Sequence, residues 1–167
     1  TSEWAIDAVP MGGVGYKLNP VGMICSTFRP SDDATVFPFL IPSNFFAVVS
    51  LMQASEMIRK ITNDDGLADE LIALSDEVRR ALQEYAVVNH PQYGKIYAFE
   101  VDGFGSAYLS DDANVPNLLS LPYLGGTERH DPIYENTRKF VWSKGNSFFF
   151  KGTVAEGIGG HHIGTDM

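Results

Sequence analysis

The sequence predicts a mainly α-helical protein whose central unit is a hairpin of two long helices, with small β-hairpins beside it. Residues 44–61 are apolar nearly all round, as in a helix that is buried on more than one side. Residues 66–88 carry one apolar stripe with charged residues opposite, as in a helix with a solvated outer face. A short turn at residues 63–66 joins the two, so we expect an inner helix packed against an outer one.

The composition fits one folded domain and limits the classes of partner. The chain has 167 residues, of which 44% are hydrophobic and 20% are charged, so it can bury a core. Its formal net charge of −9 disfavours nucleic acid and anionic membranes, because phosphates would be repelled, but suits a neutral sugar. No apolar run reaches the roughly 18 residues of a membrane span. The single cysteine, Cys25, excludes an intrachain disulfide, and its apolar surroundings in the sequence favour a buried thiol.

The first candidate for function is the stretch Arg29–Asn44, RPSDDATVFPFLIPSN, which leads into the inner helix. Its three prolines fix φ and favour extended geometry in the residues before them. In an extended segment Asp32 and Asp33 point to opposite faces, so one of them should face a pocket while the other holds the loop or Arg29. A stiff loop that presents a carboxylate beside a cation can tune the pKa of an acid. The alternative is that an aspartate only caps a turn and pairs with Arg29.

Shorter sequence patterns predict the start of the inner helix and the strands that follow the outer helix. Ser43 or Asn44 is the predicted N-cap of the inner helix. After the outer helix, residues 95–101 alternate like a strand and turn back into residues 106–109. We expect this hairpin to carry Glu100 to the rim of the fold.

The last third of the chain is predicted to contain two shorter helices and a strand. The helices cover residues 115–121, with Pro116 near the start, and residues 132–143, with Asp131 as the N-cap. Residues 146–151 are apolar and aromatic, which is typical of a strand.

Two further polar clusters are candidates for binding. Asp111, Asp112 and Asn114 precede the 115–121 helix, and in the simpler interpretation Asp112 or Asn114 is only its N-cap. The adjacent pair His161 and His162 has glycines on both sides, which let the backbone approach a ligand closely. These histidines lack the spacing of a helical zinc site and have no clear third ligand, so no metal is predicted. The alternative is that they cap or pack within their loop.

Three blocks of sequence carry a resemblance to one enzyme family. They are GMICSTFRPSDDATVFPFLIPSNFFAVVSL (22–51), EVDGFGSAYLSDDANVPNLLSLPYLG (100–125) and FFFKGTVAEGIGGHHIG (148–164). Together they span most of the chain, and they resemble glycoside hydrolase family 125, the metal-independent exo-acting α-1,6-mannosidases. The resemblance implies an (α/α)6 toroid of inner–outer helix hairpins with small β-hairpins at the rim. It also implies a mannose-containing oligosaccharide as the partner, and no cofactor.

The resemblance also implies roles for individual residues. An inverting glycosidase uses a protonated carboxylic acid, with a raised pKa, and a carboxylate base about 6.5–9.5 Å away. By resemblance the acid is Asp32 or Asp33, and Asp32 is preferred because related toroid glycosidases use the first of an acidic pair. The implied sugar-binding residues are Arg29, Asp111, Asp112, Asn114, Glu156, His161 and His162.

The resemblance further predicts that the chain is part of a longer enzyme. In the family the base lies downstream of the third block and further helices precede the first, so residues 1–167 are expected to be one partial catalytic domain. The remaining segments of a longer chain are then a further predicted partner. The predicted activity is release of mannose from the non-reducing end of N-glycan or mannan-type oligosaccharides. The alternatives are a non-catalytic sugar-binding fragment and a sugar epimerase or lyase on the same toroid.

Overall fold

The computed structural model describes residues 7–162, in which a pair of long helices is accompanied by three small antiparallel sheets. The helices are α1 (Pro10–Gly13, a single turn), α2 (Ile41–Thr62), α3 (Asp65–Tyr85) and α4 (Pro132–Val141). The strands are β1 (Phe39–Leu40), β2 (Val87–His90), β3 (Gly94–Tyr97), β4 (Glu100–Val101), β5 (Ala107–Tyr108), β6 (Phe149–Lys151) and β7 (Glu156–Ile158). A helix-rich fold with small β-hairpins is therefore confirmed, while closure into an (α/α)6 toroid stays a prediction.

The helices α2 and α3 form the predicted antiparallel hairpin. Only two residues connect them: Asn63 is left-handed, with φ of 53°, and Asp64 caps α3 by accepting a hydrogen bond from Leu67 N at 3.0 Å. Further along the pair, Ser75 Oγ donates to the carbonyl oxygen of Val48 at 3.0 Å. The hairpin is thus joined by a polar contact within its buried face as well as by apolar packing.

The N-terminus of α2 differs from the prediction. The helix begins at Ile41, with Pro42 in its first turn, where a missing N–H costs nothing, and it has no side-chain cap. Ser43 and Asn44 therefore lie inside the helix, and the prediction that one of them is the N-cap is wrong. The buried amide of Asn44 instead bonds to both the N–H and the carbonyl of Ile24, at 2.8 and 3.0 Å. It joins the helix to the segment that leads into residues 29–37, which we call the acidic loop.

The main core lies where the helix hairpin meets the sheet of order β1–β4–β5. Phe39, Leu40 and Ile41 are buried at the junction of β1 and α2, and Val78 and Leu82 reach them from the apolar stripe of α3. Burial of each side chain of this size contributes about 1.5–3 kcal/mol. The sheet, which carries Glu100, is thereby held firmly against the helices.

Part of the apolar surface of α2 remains uncovered. Phe46, Met57 and Ile61 are exposed, although they belong to the helix that the sequence predicts to be the inner one. Because the sequence makes this helix apolar nearly all round, packing against α3 leaves part of that surface uncovered. Within residues 7–162, no helix combines the length and apolar character that crossing a bilayer requires.

Several predicted elements in the second half are shorter or absent. The predicted strand 95–101 is divided between β3, which pairs with β2, and β4, which pairs with β1 and β5. Residues 115–121 form successive turns rather than a helix, because the side chains of Asn117 and Ser120 bond to each other's backbone N–H groups. The predicted helix after Asp131 is confirmed as α4, and the predicted strand 146–151 is shortened to β6. Cys25 is exposed, so the prediction of a buried thiol is wrong.

Candidate active site

The acidic loop is folded around a buried ion pair. Arg29 Nε donates to Glu100 Oε1 at 2.6 Å, and both side chains are almost fully removed from solvent. The guanidinium also lies over the rings of Phe99 and Tyr108, 5.4 and 5.5 Å from their centroids. Glu100 is therefore in the interior and not at the rim, and it is this glutamate, rather than an aspartate of the loop, that pairs with Arg29.

Glu100 also fixes the far end of the same loop. Its Oε2 accepts hydrogen bonds from the backbone N–H groups of Val36 and Phe37 at 2.8 and 3.0 Å. A single buried carboxylate thus holds the loop at both ends. The family resemblance did not assign Glu100 a role. The sequence did contain an indication of one, since a glutamate inside the apolar run KIYAFEV would be buried in a strand and would need partners for its charge.

The two adjacent aspartates have opposite environments. Asp32 is exposed and has a φ of 67°. Asp33 is 1% exposed, and its Oδ2 accepts a hydrogen bond from Ser31 Oγ at 2.8 Å. The other oxygen, Oδ1, lies 3.0 Å from His162 Nε2. The turn therefore directs Asp33 towards the interior and Asp32 towards solvent.

Asp112 meets Asp33 through the same serine. Its Oδ2 lies 3.1 Å from Ser31 Oγ, and its Oδ1 accepts a hydrogen bond from Asn114 N at 2.8 Å. Burial raises the pKa of Asp112, and hydrogen bonds from Asn114 and Ser31, with the charge of Arg29, oppose that rise only in part. The structure thus brings together two aspartates that are far apart in the sequence.

Asp111 points away from this pair and supports the backbone. Its two oxygens accept hydrogen bonds from Leu118 N at 2.8 Å and from Leu119 N at 3.1 Å. Burial raises the pKa of Asp111 well above its usual range, and those two hydrogen bonds oppose the rise. Asn146 holds the segment from the other side by bonding to the backbone N–H and carbonyl of Asp111. The sequence suggests Asp112 or Asn114 as the residue that caps backbone N–H groups here, but in the structure Asp111 accepts those hydrogen bonds.

The C-terminal glycine-rich segment brings one histidine to Asp33. His162 Nε2 lies 3.0 Å from Asp33 Oδ1 and 3.4 Å from Asp7 Oδ1. The ring of His161 instead packs edge-on against Phe148, with 4.8 Å between the ring centroids. Of the two candidate histidines, only His162 therefore contacts the buried aspartate.

Glu156 lies outside this cluster. It is an exposed residue of β7, and its Oε2 is 3.1 Å from Lys151 Nζ on the neighbouring strand. The backbone of the same hairpin does reach the site, since Ala113 N donates to the carbonyl of Gly159 at 2.9 Å. The hairpin therefore supports the loop of Asp112 through its main chain.

One ligand atom each from Asp7, Asp33 and His162 lies within 4.8 Å of the others. One imidazole and two carboxyl groups can also be held together by contacts between the side chains alone, without an ion. We treat these residues as such a network and assign no metal to them.

A family model and a solved structure point to the same family of proteins. The family model described as metal-independent α-mannosidase (GH125) matches residues 1–167. The meiotically up-regulated gene 157 protein of Schizosaccharomyces pombe is 45% identical over 160 residues, which are 95% of this chain and 31% of that protein. A Streptococcus pneumoniae structure from a family of metal-independent α-mannosidases, in a non-productive substrate complex with α-1,6-mannobiose, matches with a TM-score of 0.92 and 39% identity. That match covers 96% of this chain and 38% of the other, so the chain spans about a third of the length of these relatives.

Proposed function

Because this chain belongs to glycoside hydrolase family 125, the metal-independent α-mannosidases, we propose that the protein carrying it is an inverting exo-α-1,6-mannosidase. It would release mannose from the non-reducing end of N-glycan or mannan-type oligosaccharides. The observation that carries the proposal is the buried carboxyl of Asp33, which faces His162 and is linked through Ser31 to a second buried carboxyl. The α-1,6-mannobiose complex of the bacterial relative supports the choice of linkage.

Asp33 is the residue that we assign as the general acid. Its Oδ1 is buried, and the described contact of that atom is with His162 Nε2 at 3.0 Å. A glycosidic oxygen would therefore reach Asp33 Oδ1 beside the histidine. A general acid has to keep its proton near neutral pH, and we propose that Asp33 does so in the complete protein. Asp32, which analogy with other toroid glycosidases prefers, is the second candidate, and its carboxyl lies on the solvent side of the turn.

Arg29 and His162 are the residues that we assign to the hydroxyls of the terminal mannose. Arg29 Nη2 is buried and donates no hydrogen bond within residues 7–162, although Nε is paired with Glu100. Buried donors in folded proteins normally have partners, so an orphaned one is consistent with a site that a ligand completes. Asp111 and Glu156 already have partners elsewhere, and we propose structural roles for them.

An inverting mechanism also needs a carboxylate that activates water on the opposite face of the sugar, about 6.5–9.5 Å from the acid. The family resemblance predicts this base in a segment beyond the three matching blocks. We therefore assign it to no residue of the described range. The residues described here would supply the acid and part of the sugar-binding surface.

The test is hydrolysis of α-1,6-mannobiose by the complete natural protein and by two matched variants, Asp33→Asn and Asp32→Asn. We expect Asp33→Asn to lower kcat by a factor on the order of 10²–10⁴, the usual contribution of a general acid. Asp32→Asn should retain most of the activity, because the exposed carboxyl is not in contact with the cluster. NMR of the first product should show the anomer opposite to that of the substrate.

Four outcomes would overturn the proposal. Full activity of Asp33→Asn would remove the acid from the mechanism, and loss of activity only in Asp32→Asn would transfer the role to the neighbour. Release of an isomerised or unsaturated sugar would instead indicate the epimerase or lyase alternative. Mannobiose binding without turnover by the complete protein would indicate a non-catalytic sugar-binding protein.

A further inference from the structure

Ser31 lies between two buried carboxyl groups. Its Oγ is 2.8 Å from Asp33 Oδ2 and 3.1 Å from Asp112 Oδ2. Both aspartates are 1% exposed and Ser31 is 8% exposed, so water has little access to either contact. Both distances are those of hydrogen bonds between oxygen atoms.

A serine hydroxyl has only one hydrogen to donate. It can therefore donate to one of the two carboxyl oxygens, and the other contact is a hydrogen bond only if that carboxyl carries a proton and donates to Ser31 Oγ. With both aspartates ionised, one oxygen–oxygen contact would have no hydrogen in it, and two like charges would face each other away from solvent. Both contacts can be hydrogen bonds at the same time only if at least one of the two aspartates carries a proton.

The remaining contacts of Asp112 indicate which of its two oxygens would carry such a proton. Asp112 Oδ1 accepts from Asn114 N at 2.8 Å, as a carbonyl-type oxygen does, which leaves Oδ2 as the atom that can carry hydrogen. Burial raises the pKa of Asp112, in the direction of the neutral acid. The charged groups around it are Arg29, whose charge opposes the rise, Asp33 across the serine, and its buried neighbour Asp111.

We propose that Asp112 is a neutral carboxylic acid that donates through Oδ2 to Ser31, which in turn donates to Asp33 Oδ2. The chain of hydrogen bonds then has one direction, and Asp33 Oδ2 is always an acceptor. The proton that Asp33 gives to the leaving oxygen consequently sits on Oδ1, the atom that faces His162. Asp112 and Ser31 act as positioning residues, and this part of the inference rests on the proposed role of Asp33 as the acid.

The direct test is infrared difference spectroscopy of the complete natural protein near neutral pH. We expect a carbonyl stretch of a neutral carboxylic acid that disappears in Asp112→Asn and shifts in Ser31→Ala, since the serine is its hydrogen-bond acceptor. Asp111→Asn is the matched control, because Asp111 is buried next to Asp112 but does not contact Ser31. It should not remove the band that Asp112→Asn removes. If Asp112→Asn removes no neutral-acid band, the proposal is wrong.

A second readout is kinetic. Asparagine can accept from Asn114 N and donate to Ser31 as a neutral aspartic acid does, whereas leucine of similar size can do neither. We expect kcat of Asp112→Asn to exceed kcat of Asp112→Leu by about tenfold, which is the effect of one ordinary hydrogen bond. Equal loss in the two variants, both folded by circular dichroism, would show that Asp112 acts as a carboxylate and would overturn the proposal.

The two readouts separate this inference from the proposed function. The infrared result concerns the proton of Asp112 and can be obtained even if the protein hydrolyses no mannoside. If Asp112→Leu does not fold, Ser31→Ala and Asp112→Asn still decide the spectroscopic test. Conversely, full activity of Asp33→Asn would show that Asp33 is not the general acid. The infrared band assigned to Asp112 in the natural protein would still test the protonation of Asp112.

Discussion

Glu100 and Arg29 form a buried ion pair, with 2.6 Å between Oε1 and Nε, that fastens the start of the acidic loop to β4. The other oxygen of Glu100 holds the end of the loop through two backbone N–H groups. Removing the negative charge would leave a guanidinium buried without its counter-ion, which is far more costly than loss of an exposed pair. The pair therefore determines the conformation from which Asp33 is presented.

We accordingly expect Glu100→Gln to lower the free energy of unfolding by about 3–5 kcal/mol, the usual cost of breaking a buried ion pair. The matched control is Glu156→Gln, which breaks the exposed contact with Lys151 and should cost about 0–1 kcal/mol. Urea unfolding of both variants measures the difference. Similar values for the two would mean that Glu100 contributes little to holding the loop.

The sequence predicts best those parts of the structure that depend on residues close to one another in the chain. The α2–α3 hairpin was predictable because its apolar periodicity and the break at Asn63 are local signals. The turns at residues 115–121 were not, because Asn117 and Ser120 satisfy backbone groups that a helix would otherwise pair. The start of α2 was misplaced because Pro42 tolerates a first turn that has no capping side chain.

The candidate site was predictable only in part. The resemblance identified both acidic clusters, but it did not indicate that Ser31 joins Asp33 to Asp112, because that contact depends on how distant segments pack. The opposite environments of Asp32 and Asp33 likewise depend on the left-handed backbone at Asp32, which the sequence does not display. Glu100 was expected at the rim because the sequence predicts the hairpin that contains it but does not show that β1 pairs with β4 and covers it.

A second prediction concerns stability in alkaline solution. Burial, with the nearby carboxylate of Asp131, raises the pKa of Tyr97 from 10.0 to about 12. Between these values the unfolded chain loses the phenolic proton while the folded protein keeps it, so stability falls as pH rises from about 10 to about 12. Because one pKa unit corresponds to about 1.4 kcal/mol, the loss should approach about 2–3 kcal/mol.

The measurement is the free energy of unfolding in urea as a function of pH for the natural chain and for Tyr97→Phe. The variant lacks the ionising group, so its stability should decline less steeply above pH 10.0. Tyr123→Phe is the control, because Tyr123 is 90% exposed and should not change the slope. An unchanged slope in Tyr97→Phe would show that this phenol titrates alike in both states.

The last prediction concerns the turn between β4 and β5. Gly103 has φ of +78°, and a Cβ on it would lie 2.7 Å from the backbone oxygen of Asn19. The same asparagine bonds to the turn twice, from its N–H to the carbonyl of Asp102 and from its side chain to the carbonyl of Gly103. Gly105 in the same turn has φ of +106°, but a Cβ there meets nothing within 4 Å.

Alanine at either glycine should cost about 1–3 kcal/mol from positive φ, since an L-residue is strained there. Gly103→Ala should cost a further 1–3 kcal/mol, roughly the penalty for overpacking, because a backbone atom cannot move aside as a side chain can. Thermal unfolding of the two variants compares them directly, with Gly105→Ala reporting the strain alone. Equal melting temperatures would mean that the segment containing Asn19 separates from the turn at little cost, and the support of β4 beneath Glu100 would then have to come from β1 and β5 alone.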